Sequence, residues 1–103
     1  MRSWRVLLRD LAIDGVAIEA SYADLFVVVR EAEAIPGPND WEATVRSSSR
    51  VHVRPGRHEL KAHTVEGHEL IGWAILRFSD GHQHHLRGDG DLTGVADVIA
   101  DPT

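Results

Sequence analysis

The segment Phe78–Leu86, FSDGHQHHL, holds the densest group of side chains that could do chemistry. His82 and His84 stand two positions apart, and side chains at i and i+2 of a strand share one face about 7 Å apart. Two neutral imidazoles at that spacing can bind one metal ion, which also needs a third ligand. A hairpin at Asp80-Gly81 puts Arg77 beside the pair, where its charge disfavours a cation. We therefore expect an exposed hairpin tip, with His82 and His84 as alternative metal ligands.

Arginines form a second candidate group, since Arg46, Arg50 and Arg54 recur at intervals of four residues. In a continuous strand all three share one face, about 13 Å apart. No aromatic residue alternates with them to stack bases. The formal net charge of −5 also argues against nucleic acid or an anionic membrane as a partner. A solvated sheet face is expected, with docking of an acidic protein or an anionic ligand as the alternative.

Common catalytic motifs are missing from the sequence. It has no cysteine, which removes disulfides, thiolate ligands and cysteine nucleophiles. It also lacks the phosphate-binding loop, the dinucleotide fingerprint, the zinc-protease motif and the serine-hydrolase elbow. We predict no cofactor, and an enzyme is the alternative interpretation, built around His82 and His84.

Turn signals recur at short intervals, at Asp14-Gly15, the PGPND run from Pro36, Pro55-Gly56, Glu66-Gly67 and Asp80-Gly81. Short apolar runs lie between them, which predicts an antiparallel all-β fold. Asp-Gly favours the two-residue type I′ hairpin turn, because both residues tolerate positive φ. We expect such turns at Asp14-Gly15 and Asp80-Gly81, and a two-residue hairpin turn at Glu66-Gly67 as well. The 103 residues are expected to form one domain. Its architecture is a small antiparallel β-barrel or a compact two-sheet β-sandwich, with about seven to eight strands.

Three segments define the expected strands. Apolar and polar residues alternate from Trp41 to Val53, which predicts a half-buried strand with a bulge or turn at the serines 47–49. The runs LFVVV (Leu25–Val29) and LIGWAIL (Leu70–Leu76) are apolar at successive positions. Both of their faces should therefore be covered, by a second layer of the fold or by a partner subunit.

Two segments leave the secondary structure open. Ser21 and Asp24 resemble a helical capping box at the start of the stretch Ser21–Ala34. Its consecutive valines favour a strand, since branched side chains lose χ1 freedom in a helix, and we prefer the strand. The C-terminal LTGVADVIADPT fits one helical turn or an extended segment equally well.

Trp73 and Phe26 lie on the two doubly apolar runs and are the predicted partner contacts. Fold alone does not define function. The leading interpretation is a non-catalytic binding or assembly module that forms a homodimer or contacts another protein. In it, Arg46, Arg50 and Arg54 orient an acidic partner. A metal-dependent enzyme and an anionic-ligand-binding protein are the alternatives.

The N-terminus predicts the compartment. Only the short run Val6–Leu8 is apolar before Arg9 and Asp10, so the segment lacks the apolar core of a signal peptide. No stretch approaches the ~20 apolar residues that a membrane span requires. We expect a cytoplasmic protein.

Overall fold

A computed structural model describes residues 2–30 and 39–100, in which the chain forms seven strands and one short helix. The elements in chain order are β1 (Arg2–Ile13), β2 (Val16–Ala17), β3 (Ala20–Val29), β4 (Asn39–Ser47), β5 (Arg57–Thr64), β6 (Glu69–Ser79), β7 (Gln83–Gly88) and α1 (Val95–Ala100). Every pairing between these strands is antiparallel. The all-β prediction is confirmed.

Strand β1 closes the sheet into a barrel. The strand order is β2-β1-β3-β4-β7-β6-β5, and β1 also pairs with β5. The first half of β1 pairs with β3 as far as Leu7, and the second half pairs with β5 from Leu8 onward. A register shift between Leu8 and Asp10 marks the change of partner. Six strands thus form a closed ring, with β2 outside it, so the barrel is the correct one of the two predicted architectures.

Two of the predicted hairpin turns are present, one with the predicted length and one longer. Asp14 (φ 51°) and Gly15 (φ 80°) join β1 to β2 with Ile13 opposite Val16, which is the predicted type I′ turn. Between β5 and β6, the Thr64 amide donates to the His68 carbonyl at 2.9 Å. The loop between them therefore has three residues, ending in Gly67 at φ 98°, rather than the two expected.

The β6–β7 hairpin differs from the expected register. Ser79 pairs with His84, whereas a two-residue turn at Asp80-Gly81 would put it opposite His82. Asp80 causes the difference, because its Oδ1 accepts from the backbone amides of His82 (2.9 Å) and Gln83 (2.7 Å). An aspartate that binds the backbone two and three residues ahead stabilises such a turn. The Asp80 amide also donates to the Gln83 carbonyl at 3.2 Å, so the two-residue turn lies at Gly81-His82, one residue later than the predicted Asp80-Gly81.

Strand β4 alternates buried and exposed residues over its whole length, as predicted, but it ends at Ser47. The break predicted at the serines 47–49 is present as a bend at Ser48 and Ser49, but residues 50–54 belong to no strand, so the strand expected after the serines, up to Val53, is wrong. Strands β3 and β6 also differ from expectation, because their outer faces are exposed: Phe26 at 36% and Trp73 at 43%. Neither run is covered on both faces within one subunit.

The remaining local predictions have clear outcomes. The strand preferred for the region after Ser21 is confirmed by β3, while residues 31–34 of the helical alternative lie outside the described residues. The Pro55-Gly56 bend precedes β5 as expected, and residues 36–38 of the PGPND turn lie outside the described residues. The C-terminal segment takes the helical alternative as α1.

Trp41 occupies the centre of the packing between β4, β6 and β7. It is 2% exposed, and its Nε1 donates to the Gly90 carbonyl at 3.0 Å. A Cβ added to Gly72 would lie 2.8 Å from the indole Cζ2, and one added to Gly88 would overlap the indole Nε1. Glycine at both positions therefore leaves the space that the indole fills.

Gly88→Ala should lower the free energy of unfolding by about 1–3 kcal/mol, because the added methyl overpacks the core against Trp41. Urea denaturation followed by far-UV circular dichroism measures the loss.

The double variant Gly88→Ala/Trp41→Leu is the matched control, since leucine lacks the indole ring whose Nε1, Cδ1 and Cε2 the methyl meets. Its destabilisation should be smaller than the sum of those of the single variants. Strict additivity would contradict the steric explanation.

Candidate functional site

Two clefts open at the end of the barrel where β4 and β6 end and β7 begins. The first, here the Arg50 cleft, has a volume of about 610 Å³ and lies between residues 50–55 and the end of β6. The second, here the Arg46 cleft, has a volume of about 720 Å³ and lies between the end of β4 and the β6–β7 loop. Asp80 lines both clefts, so the same loop separates them.

The three predicted arginines do not share one face. Arg46 lines one cleft and Arg50 lines the other, whereas Arg54 lines neither of the two. The reason is that β4 ends at Ser47, so period two no longer determines where the later arginines point. The neighbour of Arg50 is instead Arg77 of β6, which the sequence interpretation treated only as an obstacle to metal binding.

His84 is a core residue of the barrel. It is 1% exposed, its Nε2 lies 3.1 Å from the Ser47 hydroxyl and its Nδ1 lies 2.8 Å from the Ser79 hydroxyl. Burial lowers the pKa of His84 below the ordinary histidine value, which favours the neutral ring. Both ring nitrogens are occupied, so the geometry accounts for His84 as a satisfied interior histidine.

His82 points elsewhere, into solvent at the Arg46 cleft. It precedes β7, so the alternation that would put it on the face of His84 does not reach it. The expected same-face pair is therefore wrong. Within residues 2–30 and 39–100, no three histidine, aspartate or glutamate side chains come together as a metal site.

His58 forms a polar clamp that the sequence interpretation missed. Its ring is 7% exposed; Nδ1 lies 2.6 Å from Asp14 Oδ2, and Nε2 lies 2.6 Å from the Arg54 carbonyl. Both partner atoms only accept hydrogen bonds, so both ring nitrogens donate and the imidazole is protonated. The contact joins the segment after β4 to the β1–β2 turn.

The two predicted partner contacts lie apart on the outer surface. Strands β4 and β7 lie between β3, which carries Phe26, and β6, which carries Trp73. Across these strands Phe26 pairs with Glu42, Glu42 with Arg87, and Arg87 with Ile75. Three strand spacings, about 14 Å, therefore separate Phe26 from β6. Phe26 lies under the Arg5 guanidinium at 5.6 Å from the ring centre. The expected single apolar surface around Trp73 and Phe26 is therefore divided by charged residues.

Two residues absent from the prediction extend the apolar surface at Trp73. Ile75 is 43% exposed and Phe78 is 53% exposed on the same outer face of β6. Strict alternation would turn Phe78 inward, but Arg77 is an extra residue between the pairs Leu76↔Leu86 and Phe78↔His85. Such a bulge reverses the facing of the residues after it. Trp73, Ile75 and Phe78 are called the β6 stripe below.

A buried carboxylate on the outer face of β3 is a third feature that periodicity did not reveal. Asp24 is 3% exposed, and its Oδ2 accepts from Arg5 Nη1 at 2.7 Å and from the Tyr22 hydroxyl at 2.6 Å. The hydrogen bond to Asp24 raises the pKa of Tyr22 above its ordinary value. The three groups satisfy one another and connect β1 to β3.

Comparisons with known proteins identify no relative of this chain. No protein-family model matches the chain, and no curated protein or solved structure matches it significantly. Among the described residues, the structure contains no helix with the length and apolar character of a membrane span. The candidate sites therefore depend on their own geometry.

The two buried histidines should affect stability in opposite directions as pH changes. The hydrogen bond to Asp14 raises the pKa of His58, so its stabilisation is complete below about pH 6.5 and is lost as pH rises through the raised pKa. The pKa of His84 is lowered, so the stabilisation from the buried neutral ring is complete above about pH 6.5 and is lost as pH falls through the lowered pKa. Urea unfolding from pH 5 to 9 should show the high-pH loss disappear in His58→Gln.

His52→Gln is the matched control, because His52 is exposed and makes no ion pair with the described residues. Its stability profile should follow that of the wild type at high pH. If His58→Gln also followed the wild type, the protonated clamp would be contradicted.

Proposed function

We propose that this chain is a non-catalytic binding module that assembles as a homodimer through the β6 stripe. The observation that supports this most directly is that Trp73, Ile75 and Phe78 are 43%, 43% and 53% exposed along one strand. Single exposed apolar side chains are ordinary on protein surfaces, whereas contiguous ones mark contact surfaces. Aromatic residues are also enriched in such contacts.

The interior of the barrel favours an external site. Leu25, Leu60 and Leu86 are each at most 1% exposed, and His84 and Ser47 satisfy each other's polar atoms inside. A six-stranded ring is narrow enough for its own side chains to fill. Binding is therefore assigned to the outer surface.

Local charge favours a second copy as the occupant. The net charge of −5 makes two copies repel each other at long range, so the contact itself must be close to neutral. Around the stripe, Arg57 pairs with Asp89 at 2.8 Å and covers the Trp73 ring at 4.4 Å. On the other side, His85 Nε2 lies 3.4 Å from Glu42. Arg87 lies opposite Ile75 and forms no ion pair with the described residues, but Glu42 lies opposite Arg87 on β4, so charges of both signs lie beside the stripe.

A two-fold axis near Ile75 suits the stripe. It sets Trp73 of one copy against Phe78 of the second, so the same patch serves both subunits. The metal-dependent alternative gains no support from the described residues, since Ser47 and Ser79 occupy the ring nitrogens of His84. The proposed compartment remains the cytoplasm.

Ile75→Glu should convert the dimer to a monomer, because it would bury two carboxylates beside the symmetry axis. Size-exclusion chromatography with light scattering, over a range of protein concentrations, measures the mass. Trp73→Glu should act in the same direction.

Val16→Glu is the matched control, since Val16 is 64% exposed but lies at the β1–β2 turn. It should retain the dimer mass, and circular dichroism should show that all three variants fold. A monomeric wild type would contradict self-association, and dissociation by Val16→Glu would contradict the assignment of the stripe. A wild-type monomer that loses binding to a different protein on Ile75→Glu would identify a heterologous partner instead.

A further inference from the structure

The Arg50 cleft lies between residues 51–56 and residues 76–81, two backbone segments that are hydrogen-bonded to each other at both ends. At one end, the Val51 amide donates to the Gly81 carbonyl at 2.8 Å. At the other end, the Leu76 amide donates to the Gly56 carbonyl at 3.0 Å. Between these ends, no backbone hydrogen bond among the described residues joins residues 52–55 to residues 77–80. The opening between these fixed points has a volume of about 610 Å³.

Two arginines give this cleft a positive charge. Neither Arg50 nor Arg77 forms an ion pair with any described residue, although both line the opening. His52 lines it as well. The acid at the rim, Asp80, is already engaged, because two loop amides donate to its Oδ1 and lower its pKa. The cleft therefore offers positive charge in a chain whose net charge is −5.

Arg50 lies against Gly81 at the cleft. A Cβ added to Gly81 would be 3.0 Å from Arg50 Cζ and 3.2 Å from Nε. Gly81 has φ 97°, so a side chain is disfavoured there for conformational reasons too. Glycine at this position therefore leaves the space that the guanidinium occupies.

Apart from Ser79 and Gly81, the rest of the lining is apolar. Val53 is 8% exposed, Leu76 is half-buried, and Phe78 presents more than half of its surface. Val51 and Pro55 complete this wall. A bare inorganic anion would leave the wall in water, whereas an anion with an apolar body would cover it.

We infer that the Arg50 cleft binds a small organic anion, in which a carboxylate or phosphate group pairs with Arg50 and Arg77 while an apolar body packs on Val53 and Leu76. Guanidinium groups suit both oxyanions because their paired N–H groups match the oxygen spacing. A metal cation is disfavoured by the same two charges. Binding at the cleft does not rest on the proposed dimer, because these four residues lie outside the β6 stripe.

Benzyl phosphate and phenylacetate are suitable probes, because they share the apolar body and differ in the oxyanion. Titration of ¹⁵N-labelled protein, followed by amide chemical shifts, should give saturable shifts confined to residues 50–55 and 76–81. Benzyl alcohol, which lacks the charge, should cause none. Binding should weaken as salt increases, because the arginines are exposed. The tighter of the two probes identifies the oxyanion.

Arg50→Gln and Arg77→Gln should each weaken binding of the tighter probe about tenfold, the effect of one charge-assisted hydrogen bond. Arg87→Gln is the matched control, since Arg87 is also exposed and forms no ion pair with the described residues, but lies outside the cleft. It should change affinity by less than about twofold.

Three outcomes would overturn the inference. One is the absence of saturable shifts with either probe at millimolar concentration. Another is equal affinity for inorganic phosphate, which would show that the apolar wall contributes nothing. The third is an equal loss in Arg87→Gln, which would reduce the effect to overall charge. Circular dichroism checks that each variant folds. If an arginine variant does not fold, His52→Gln replaces it in the binding test, because His52 also lines the cleft.

Discussion

The double pairing of β1 is the constraint on which the rest of the structure depends. Its first half is hydrogen-bonded to β3 and its second half to β5, so this one strand joins the two ends of the sheet. Closure leaves none of the six ring strands with an open edge. It also encloses a lumen just wide enough for Trp41 and the leucines. Anything the molecule binds must therefore be recognised on its outside or at its ends.

Residue types predicted the elements well because the relevant signals are local. Asp14-Gly15 specified its turn, since positive φ at both positions is a property of those two residues. The alternation through Trp41, Ala43 and Val45 specified β4 for a similar reason, because one buried face requires period two. Closure itself involves β1 and β5, which are distant in the chain, and period two is equally compatible with a sandwich. The sequence therefore left both architectures open.

The candidate sites were harder to predict, because they depend on where regular structure stops. Arg46 and Arg50 were assigned to one face on the assumption that β4 continues past Ser47. His82 and His84 were paired on the assumption that β7 begins before Gln83. At β7 a side chain ends the periodicity, because Asp80 binds the loop amides, whereas β4 keeps its alternation up to Ser47, which contacts His84, and ends there. These contacts follow from tertiary packing and turn chemistry, which alternation does not encode.

One inserted residue relates the two proposed surfaces. Arg77 lies opposite no residue of β7 in the register of the described strands, and the bulge turns Phe78 outward while Leu76 and Ser79 remain on the inner side. Phe78 thereby extends the β6 stripe, and the displaced Arg77 reaches the cleft that Arg50 borders from the opposite wall. Without the bulge, Phe78 would compete with His84 for the interior, and the cleft would lose half of its charge. Bulges commonly re-aim side chains at functional edges of sheets. The same irregularity that interrupts the period of two therefore adds one residue to each surface, Phe78 to the stripe and Arg77 to the cleft.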